Sequence, residues 1–170
     1  MSGMIVFDGN SILNRAFYGI RPLNTKDGFP TNALFGFINI LLKNLQSGYE
    51  YAVIAYDLRA KTFRHKACDT YKATRKGMPE ELAKQLPVSK QLSEYFGIKV
   101  VEKEGYEADD ILGTISQICA NNKIECTLVT GDRDSYQLVR DGVTVFLAAN
   151  NETKIITPDT IKELYSLDPR

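Results

Sequence analysis

Histidine is almost absent from this chain of 170 residues: His65 is the single one. That scarcity excludes zinc catalysis of the histidine-rich type. It also leaves Ser11 and Ser135 without a base in any local motif, so a serine–histidine–aspartate hydrolase has no support. His65 itself reads as an exposed residue of a polar loop. The three cysteines, Cys68, Cys119 and Cys126, are odd in number, widely spaced and free of any C-x-x-C pair. They argue for free thiols in a reducing compartment, used for packing or lying at the surface. No apolar run approaches the roughly 18 residues that cross a bilayer. The opening "MSGMIVFDGNS" lacks the basic stretch and long apolar core of a secretory leader. A cytoplasmic location is therefore expected. Neither G-x-x-x-x-G-K-[ST] nor G-x-G-x-x-G occurs, which argues against a P-loop nucleotide hydrolase and a dinucleotide enzyme. There is no internal repeat and no low-complexity tract.

Net charge is absent as well, with 21 basic and 21 acidic residues, but its distribution is uneven. Residues 59–76 carry Arg59, Lys61, Arg64, Lys66, Lys72, Arg75 and Lys76 against the single acid Asp69. Residues 102–110 carry five acids against Lys103. A basic strip and an acidic pole therefore hide inside a neutral total. Hydrophobic residues at 44% and charged residues at 25% describe a globular domain, and the length suits one ordinary core.

Five short, β-branched apolar runs recur along the chain: 4–7, 51–56, 98–101, 126–130 and 143–147. The first, second and fourth are near-continuous hydrophobics, as strands buried on both faces are. Helical periodicity occupies about 11–18, 32–47, 80–96 and 108–121. In 32–47 the apolar set is Leu34, Phe37, Ile38, Leu41, Leu42 and Leu45. In 108–121 it is Ala108, Ile111, Leu112, Ile115 and Ile118. A short segment after Asp134 and a last helix with Pro158 in its first turn and Thr157 as cap complete the set. This alternation predicts an α/β domain around a central, mostly parallel five-stranded sheet with right-handed crossovers. Residues 58–79 are too long and too basic for an ordinary connection, and loops of that length are commonly functional.

Ligands of open parallel sheets bind beyond the carboxyl ends of the strands. Asp8 closes the first strand, Asp57 the second, Asp132 and Asp134 follow the fourth, and Glu107, Asp109 and Asp110 follow the third. Singly, each has an ordinary explanation: a turn aspartate, a helix cap, or a first-turn acid favoured by the helix dipole. Together, seven carboxylates at one edge without counter-charge repel and raise one another's pKa values. Divalent cations relieve that cost, and an all-oxygen donor set suits Mg²⁺ or Mn²⁺. An acidic metal pole beside a basic strip is the arrangement of phosphodiester chemistry, with aromatics such as Phe63 and Tyr71 available to stack on unpaired bases.

Six blocks carry a resemblance: "DGNSILNRAFYG" (8–19), "PTNALFGFINILLK" (30–43), "YDLRAKTFRH" (56–65), "YKATRKGMPEELAKQLP" (71–87), "GYEADDILGT" (105–114) and "TGDRDSYQLV" (130–139). In that order they resemble the 5′-nuclease family, in the form of the N-terminal 5′→3′ exonuclease domain of bacterial DNA polymerase I. The resemblance spans nearly the whole chain and implies a Rossmann-like, PIN-type three-layer domain over residues 1–170 with a basic helical arch at about 58–79. It implies metal-binding carboxylates at Asp8, Asp57, Glu107, Asp109, Asp110, Asp132 and Asp134, holding two Mg²⁺ or Mn²⁺ ions. It implies catalytic cations at Lys72 and Arg75. DNA contacts are implied at Arg15, Phe63, Arg64, Tyr71, Lys72 and Arg75. The implied activity is metal-dependent 5′→3′ exonuclease and 5′-flap endonuclease cleavage of DNA at single-strand/duplex junctions, in primer removal and repair. The implied partners are DNA with a 5′ flap or 5′ end and a covalently linked polymerase domain, with no membrane and a monomeric chain. Family members continue into a helix–turn–helix-like element and two further metal-binding aspartates, which are not in this sequence. Tyr56 before Asp57, and Ser135-Tyr136 after "GDRD", depart from the family pattern.

Three other readings stay open on the residues alone. Without the further aspartates the chain reads as a non-catalytic DNA-binding fragment. The acidic pole also fits a PIN-type ribonuclease, against which the basic 58–79 segment speaks. A small-molecule phosphatase or receiver-type domain around Asp8 or Asp57 needs fewer acids than are present.

Overall fold

The computed structural model describes residues 3–68, 70, 71, 77–148 and 153–169. Its elements run β1 (Gly3–Asp8), α1 (Gly9–Gly19), α2 (Asn32–Leu45), β2 (Tyr51–Ala55), α3 (Phe63–Ala67), α4 (Glu80–Tyr95), β3 (Lys99–Val101), α5 (Ala108–Asn121), β4 (Glu125–Thr130), a 3-10 helix (Arg133–Leu138), β5 (Val143–Ala148), β6 (Thr153–Ile156) and α6 (Pro158–Tyr165). The strands form one sheet in the order β3-β2-β1-β4-β5-β6. All neighbours are parallel except β5 and β6, which pair antiparallel from Val145↔Ile156 to Ala148↔Thr153. The expected count of five strands is thus corrected to six. The sixth, "TKII", is an edge strand that buries only Ile156 and leaves Ile155 exposed, so it carries too little alternation to announce itself.

The two-residue period of β1 explains the layers. Ile5 and Phe7 point to one core, shared with Ile12, Leu13, Phe37, Leu41 and Leu82 of α1, α2 and α4. Val6 points to the other, shared with Ala108, Ile111, Leu112 and Ile161 of α5 and α6. Helices thus cover both faces of the sheet, as the near-continuous apolar strands require. Two helix faces differ from expectation at their margins. Ile118 and Leu42 are exposed, and the inner face of α5 continues instead through Ser116 and Cys119. Both serine and cysteine are small enough to let the helix lie close to the sheet. Thr157 does cap α6, its hydroxyl accepting from the Thr160 N–H at 3.3 Å.

The basic interval, where the resemblance implies a helical arch, holds a short helix that apolar periodicity alone did not disclose. At the start of α3, the Thr62 N–H donates to Nδ1 of His65 at 3.3 Å, and the Thr62 hydroxyl lies 2.8 Å from the same nitrogen. His65 is therefore a half-buried capping residue rather than a free loop side chain. Asp69 and residues 72–76, which include the expected catalytic cations Lys72 and Arg75, lie outside the described residues, as does part of the expected arch.

Tyr56 is accommodated by glycine. Its ring is fully buried, and a Cβ on Gly9 would fall 2.4 Å from it. The phenol reaches past Gly9 to donate to Ser89 Oγ on α4 at 3.0 Å, and burial pushes its pKa up to about 12. A second buried link aligns the same helices: Gln85 of α4 donates to Asn32 Oδ1 and accepts from the Leu34 N–H, while Asn32 donates to the Phe17 carbonyl of α1. Gly9→Ala is accordingly expected to lower unfolding free energy in a urea titration by about 1–3 kcal/mol through overpacking. An unchanged midpoint would contradict this packing.

Candidate active site

The first N–H groups of a helix have no partner inside it, and here carboxylates supply one at each strand exit. Asp8 is the N-cap of α1: its Oδ1 accepts from the Ser11 N–H at 3.0 Å. Asp57, at the exit of β2, accepts from the Ala108 N–H at the start of α5 at 2.6 Å. Its own N–H is held by Asn10 Oδ1 at 2.9 Å. Asp110 Oδ2 accepts from the Glu107 N–H at 2.9 Å. Asp132 caps the 3-10 helix by accepting from the Asp134 N–H at 3.0 Å. For these four acids the ordinary capping explanation therefore holds, and it places them at neighbouring strand exits.

Asp8 and Asp132 straddle the point where the chain order reverses from β1 to β4, the position at which open α/β sheets bind ligands. Thr130 connects them. Its buried hydroxyl donates to Asp8 Oδ2 at 2.9 Å and accepts from the Asp132 N–H at 3.0 Å. Ser11 Oγ accepts from the Gly131 N–H at 3.0 Å, and a Cβ on Gly131 would sit 3.0 Å from that oxygen and 3.1 Å from Arg15 Cδ. Glycine there lets the β4 exit approach α1.

These exits open onto one cavity of about 1180 Å³. Its acids are Asp8, Asp57, Glu107, Asp109, Asp132 and Asp134. Its other walls include Asn10, Ser11, Asn14, Arg15 and Tyr18 of α1, together with Tyr71 and residues 77–79. Asp8 and Glu107 are buried, whereas Asp109, Asp132 and Asp134 are exposed at the mouth. Burial raises the Asp8 carboxyl from its ordinary 3.8 to about 7, and the charges of Asp109 and Asp57 push in the same direction. The donor set is all oxygen, and a buried carboxylate held above its usual range gains from a nearby hard cation. By that test the residues fit a divalent ion. Among the described residues, however, no group of three or more carboxylate, imidazole or thiolate side chains is gathered as a ready metal site. Several of the acids instead accept hydrogen bonds from backbone and hydroxyl groups.

Asp110 does not line the cavity. Both its oxygens accept from Arg64, at 2.7 Å each, and the same guanidinium lies 3.8 Å from Glu107. The acids do have a counter-charge after all, and it comes from the basic segment. Arg64 also lies over the Phe63 ring, 4.5 Å from its centre. Tyr71 donates its hydroxyl to Glu107 Oε2 at 3.1 Å. Of the expected DNA contacts, Arg15 and Tyr71 thus line the cavity, while Phe63 and Arg64 stand on α3 against its acidic wall. Lys72 and Arg75 fall outside the described residues.

Comparison with known proteins places this fold. Residues 3–166 match the family described as 5′-3′ exonuclease, N-terminal resolvase-like domain. The chain belongs to that family. It is 38% identical over 169 residues to the DNA polymerase I of Caldicellulosiruptor bescii, covering 96% of this chain and 20% of that protein. It is 38% identical over 167 residues to the thermostable DNA polymerase I of Thermus thermophilus, covering 98% of this chain and 20% of that protein. The chain therefore spans about a fifth of the length of these relatives. Among solved structures, a bacteriophage T5 flap endonuclease variant, in a complex with DNA and metal ions, superposes with a TM-score of 0.73 at 17% identity. That match covers 98% of this chain and 62% of the phage protein, and shows a shared fold. No helix among the described residues is long and apolar enough to cross a membrane.

Within this exonuclease domain, the residues that sequence reasoning missed are those that hold the acids or face them. Thr130 and Ser11 had only weak signals, a hydroxyl flanking each acidic motif. Asn10, Asn14 and Tyr18 had a clearer one, the i, i+4, i+8 spacing from the end of β1.

Two measurements follow from this geometry. Because folding raises the Asp8 pKa, its contribution to stability is complete below about pH 4 and is lost as pH rises through about 7. In the presence of a chelator, unfolding free energy should fall across that window by roughly a few kcal/mol more in the native chain than in Asp8→Asn. Parallel pH profiles would contradict the assignment. Second, Asp110→Asn and Arg64→Ala should be non-additive in a double-mutant cycle of stability, with coupling on the order of 1 kcal/mol for a partly exposed bidentate pair. Strictly additive effects would show that the pair contributes nothing.

Proposed function

We propose that this domain hydrolyses DNA phosphodiesters as a 5′→3′ exonuclease and 5′-flap endonuclease, acting near single-strand/duplex junctions in primer removal and repair. The observation that carries the reading is the convergence of acids from four strand exits on one cavity that Arg15, Tyr18 and Tyr71 also line. The family membership and the likeness to a nuclease that holds DNA and metal ions support it. Asp8, Asp57, Glu107, Asp109, Asp132 and Asp134 would hold two Mg²⁺ or Mn²⁺ ions, with Asp110 bracing Glu107 and Arg64 from behind. Bound there, such ions would lower the pKa of an attacking water and offset the charge of the scissile phosphate.

The remaining work falls to the chain itself. Thr130 and the α1 N-terminus fix both oxygens of Asp8, so the carboxylate is oriented before substrate arrives. Arg15 meets a phosphate at the cavity wall, and Lys72 and Arg75 steady the negative charge that develops during cleavage. Tyr71 and Phe63 offer faces for unpaired bases. The chain acts as a monomer in the cytoplasm, joined in its parent to a polymerase domain.

Cleavage of a 5′-flap DNA with Mg²⁺ or Mn²⁺ tests the reading. Asp132→Asn is expected to reduce the rate at least about 100-fold with folding intact by circular dichroism, and excess chelator to abolish it. Cleavage retained in that variant would remove the carboxylate's role, and preference for an RNA flap would favour a PIN-type ribonuclease.

A further inference from the structure

Tyr18 is an aromatic side chain that no structural requirement of the fold accounts for. It is 72% exposed, yet it lines the same cavity as the acids. It sits in the last turn of α1, and its ring and that of Phe17 meet edge to face, with centroids 5.1 Å apart. That contact limits how the ring can turn.

The helix sets its distance from the chemistry. Asp8 caps α1, and Asn10, Asn14 and Tyr18 follow at four-residue steps, all lining the cavity along one face. Tyr18 is ten residues beyond Asp8, so the helical rise carries it about 15 Å from the acidic pole. Arg15 lies one turn nearer, as a cation for a phosphate. The wall therefore runs from carboxylates through amides and a guanidinium to an aromatic face. That order matches a nucleic-acid strand whose scissile phosphate sits over the acids and whose bases lean outward. At the stacked spacing of about 3.4 Å per nucleotide, 15 Å is about four nucleotides.

We infer that Tyr18 is a stacking platform for an unpaired DNA base within about four nucleotides of the scissile phosphate, and that α1 is the track along which that strand lies. The inference deepens the function proposed above and rests on its DNA-binding part. A hydrogen-bonding role for the phenol is the competing assignment, and a ring-retaining substitution separates the two.

The test is equilibrium binding of a phosphorothioate-blocked 5′-flap oligonucleotide in Mg²⁺, carrying 2-aminopurine at successive positions around the junction. Native chain, Tyr18→Ala, Tyr18→Phe and Tyr95→Ala are compared; Tyr95 is exposed on α4 and does not line the cavity. Loss of one base–aromatic stack weakens binding roughly 5- to 100-fold. Tyr18→Ala should show that loss and should release fluorescence quenching at one position within four nucleotides of the cut. Tyr18→Phe and Tyr95→Ala should stay within about twofold of the native chain. Native-like binding and quenching by Tyr18→Ala would overturn the inference while leaving DNA binding standing, and a loss in Tyr18→Phe equal to that in Tyr18→Ala would replace stacking with a hydroxyl contact. If the native chain itself fails to bind the flap, the functional reading falls and this inference with it.

Discussion

A helix that begins directly at the end of a strand exposes N–H groups with no acceptor of their own, and this domain answers that need with carboxylates at one edge of its sheet. Asp8 begins α1, Asp57 reaches across to the start of α5, Asp110 holds the Glu107 N–H, and Asp132 begins the 3-10 helix. Because β1, β2 and β4 are parallel neighbours, their exits open on the same side. Capping and convergence are therefore one arrangement. The acids are drawn together by local backbone demand, and the site's chemistry uses what that demand places there.

The same arrangement carries a cost that explains its surroundings. Asp8 is buried beside Asp57 and Asp109, and its carboxyl is driven upward by desolvation first and by those charges second. Two devices moderate the crowding. Thr130 shares its hydroxyl between Asp8 and the Asp132 backbone, which keeps the β1 and β4 exits in register. Arg64 takes Asp110 in a two-pronged pair and approaches Glu107, so part of the acidic wall is neutralised by the basic segment itself. The segment that carries the proposed DNA contacts is thereby anchored to the wall it serves. This gives the charge segregation seen in the sequence a structural meaning: the strip and the pole are in contact.

Much of this was legible in the residues. The buried strands announced themselves through near-continuous apolar runs, and the acids through their position immediately after those runs. What could not be read was whatever depended on a partner outside the segment's own apolar pattern. β6 exists because β5 offers it an edge, not because "TKII" alternates. His65 is a cap because Thr62 turns the chain there. Tyr56, which looked like a departure from pattern, is satisfied by a glycine 47 residues earlier and a serine 33 residues later. Asp110 belongs by sequence with the cavity acids, but Arg64, 46 residues away, draws it to the back of the wall. The two hydroxyls that brace the acids had only a weak signal, since a serine or threonine beside a turn is ordinary.

The central claim is that these caps together form a seat for divalent cations, in which a bound cation offsets the burial that raises the Asp8 carboxyl pKa. Calorimetric titration of the chain with Mn²⁺ at pH 7, repeated in two buffers of different protonation enthalpy, tests it most directly. The account predicts saturable binding accompanied by proton release, and loss of that release in Asp8→Asn. Absence of saturable binding, or binding that exchanges no protons and is indifferent to Asp8→Asn, would contradict it.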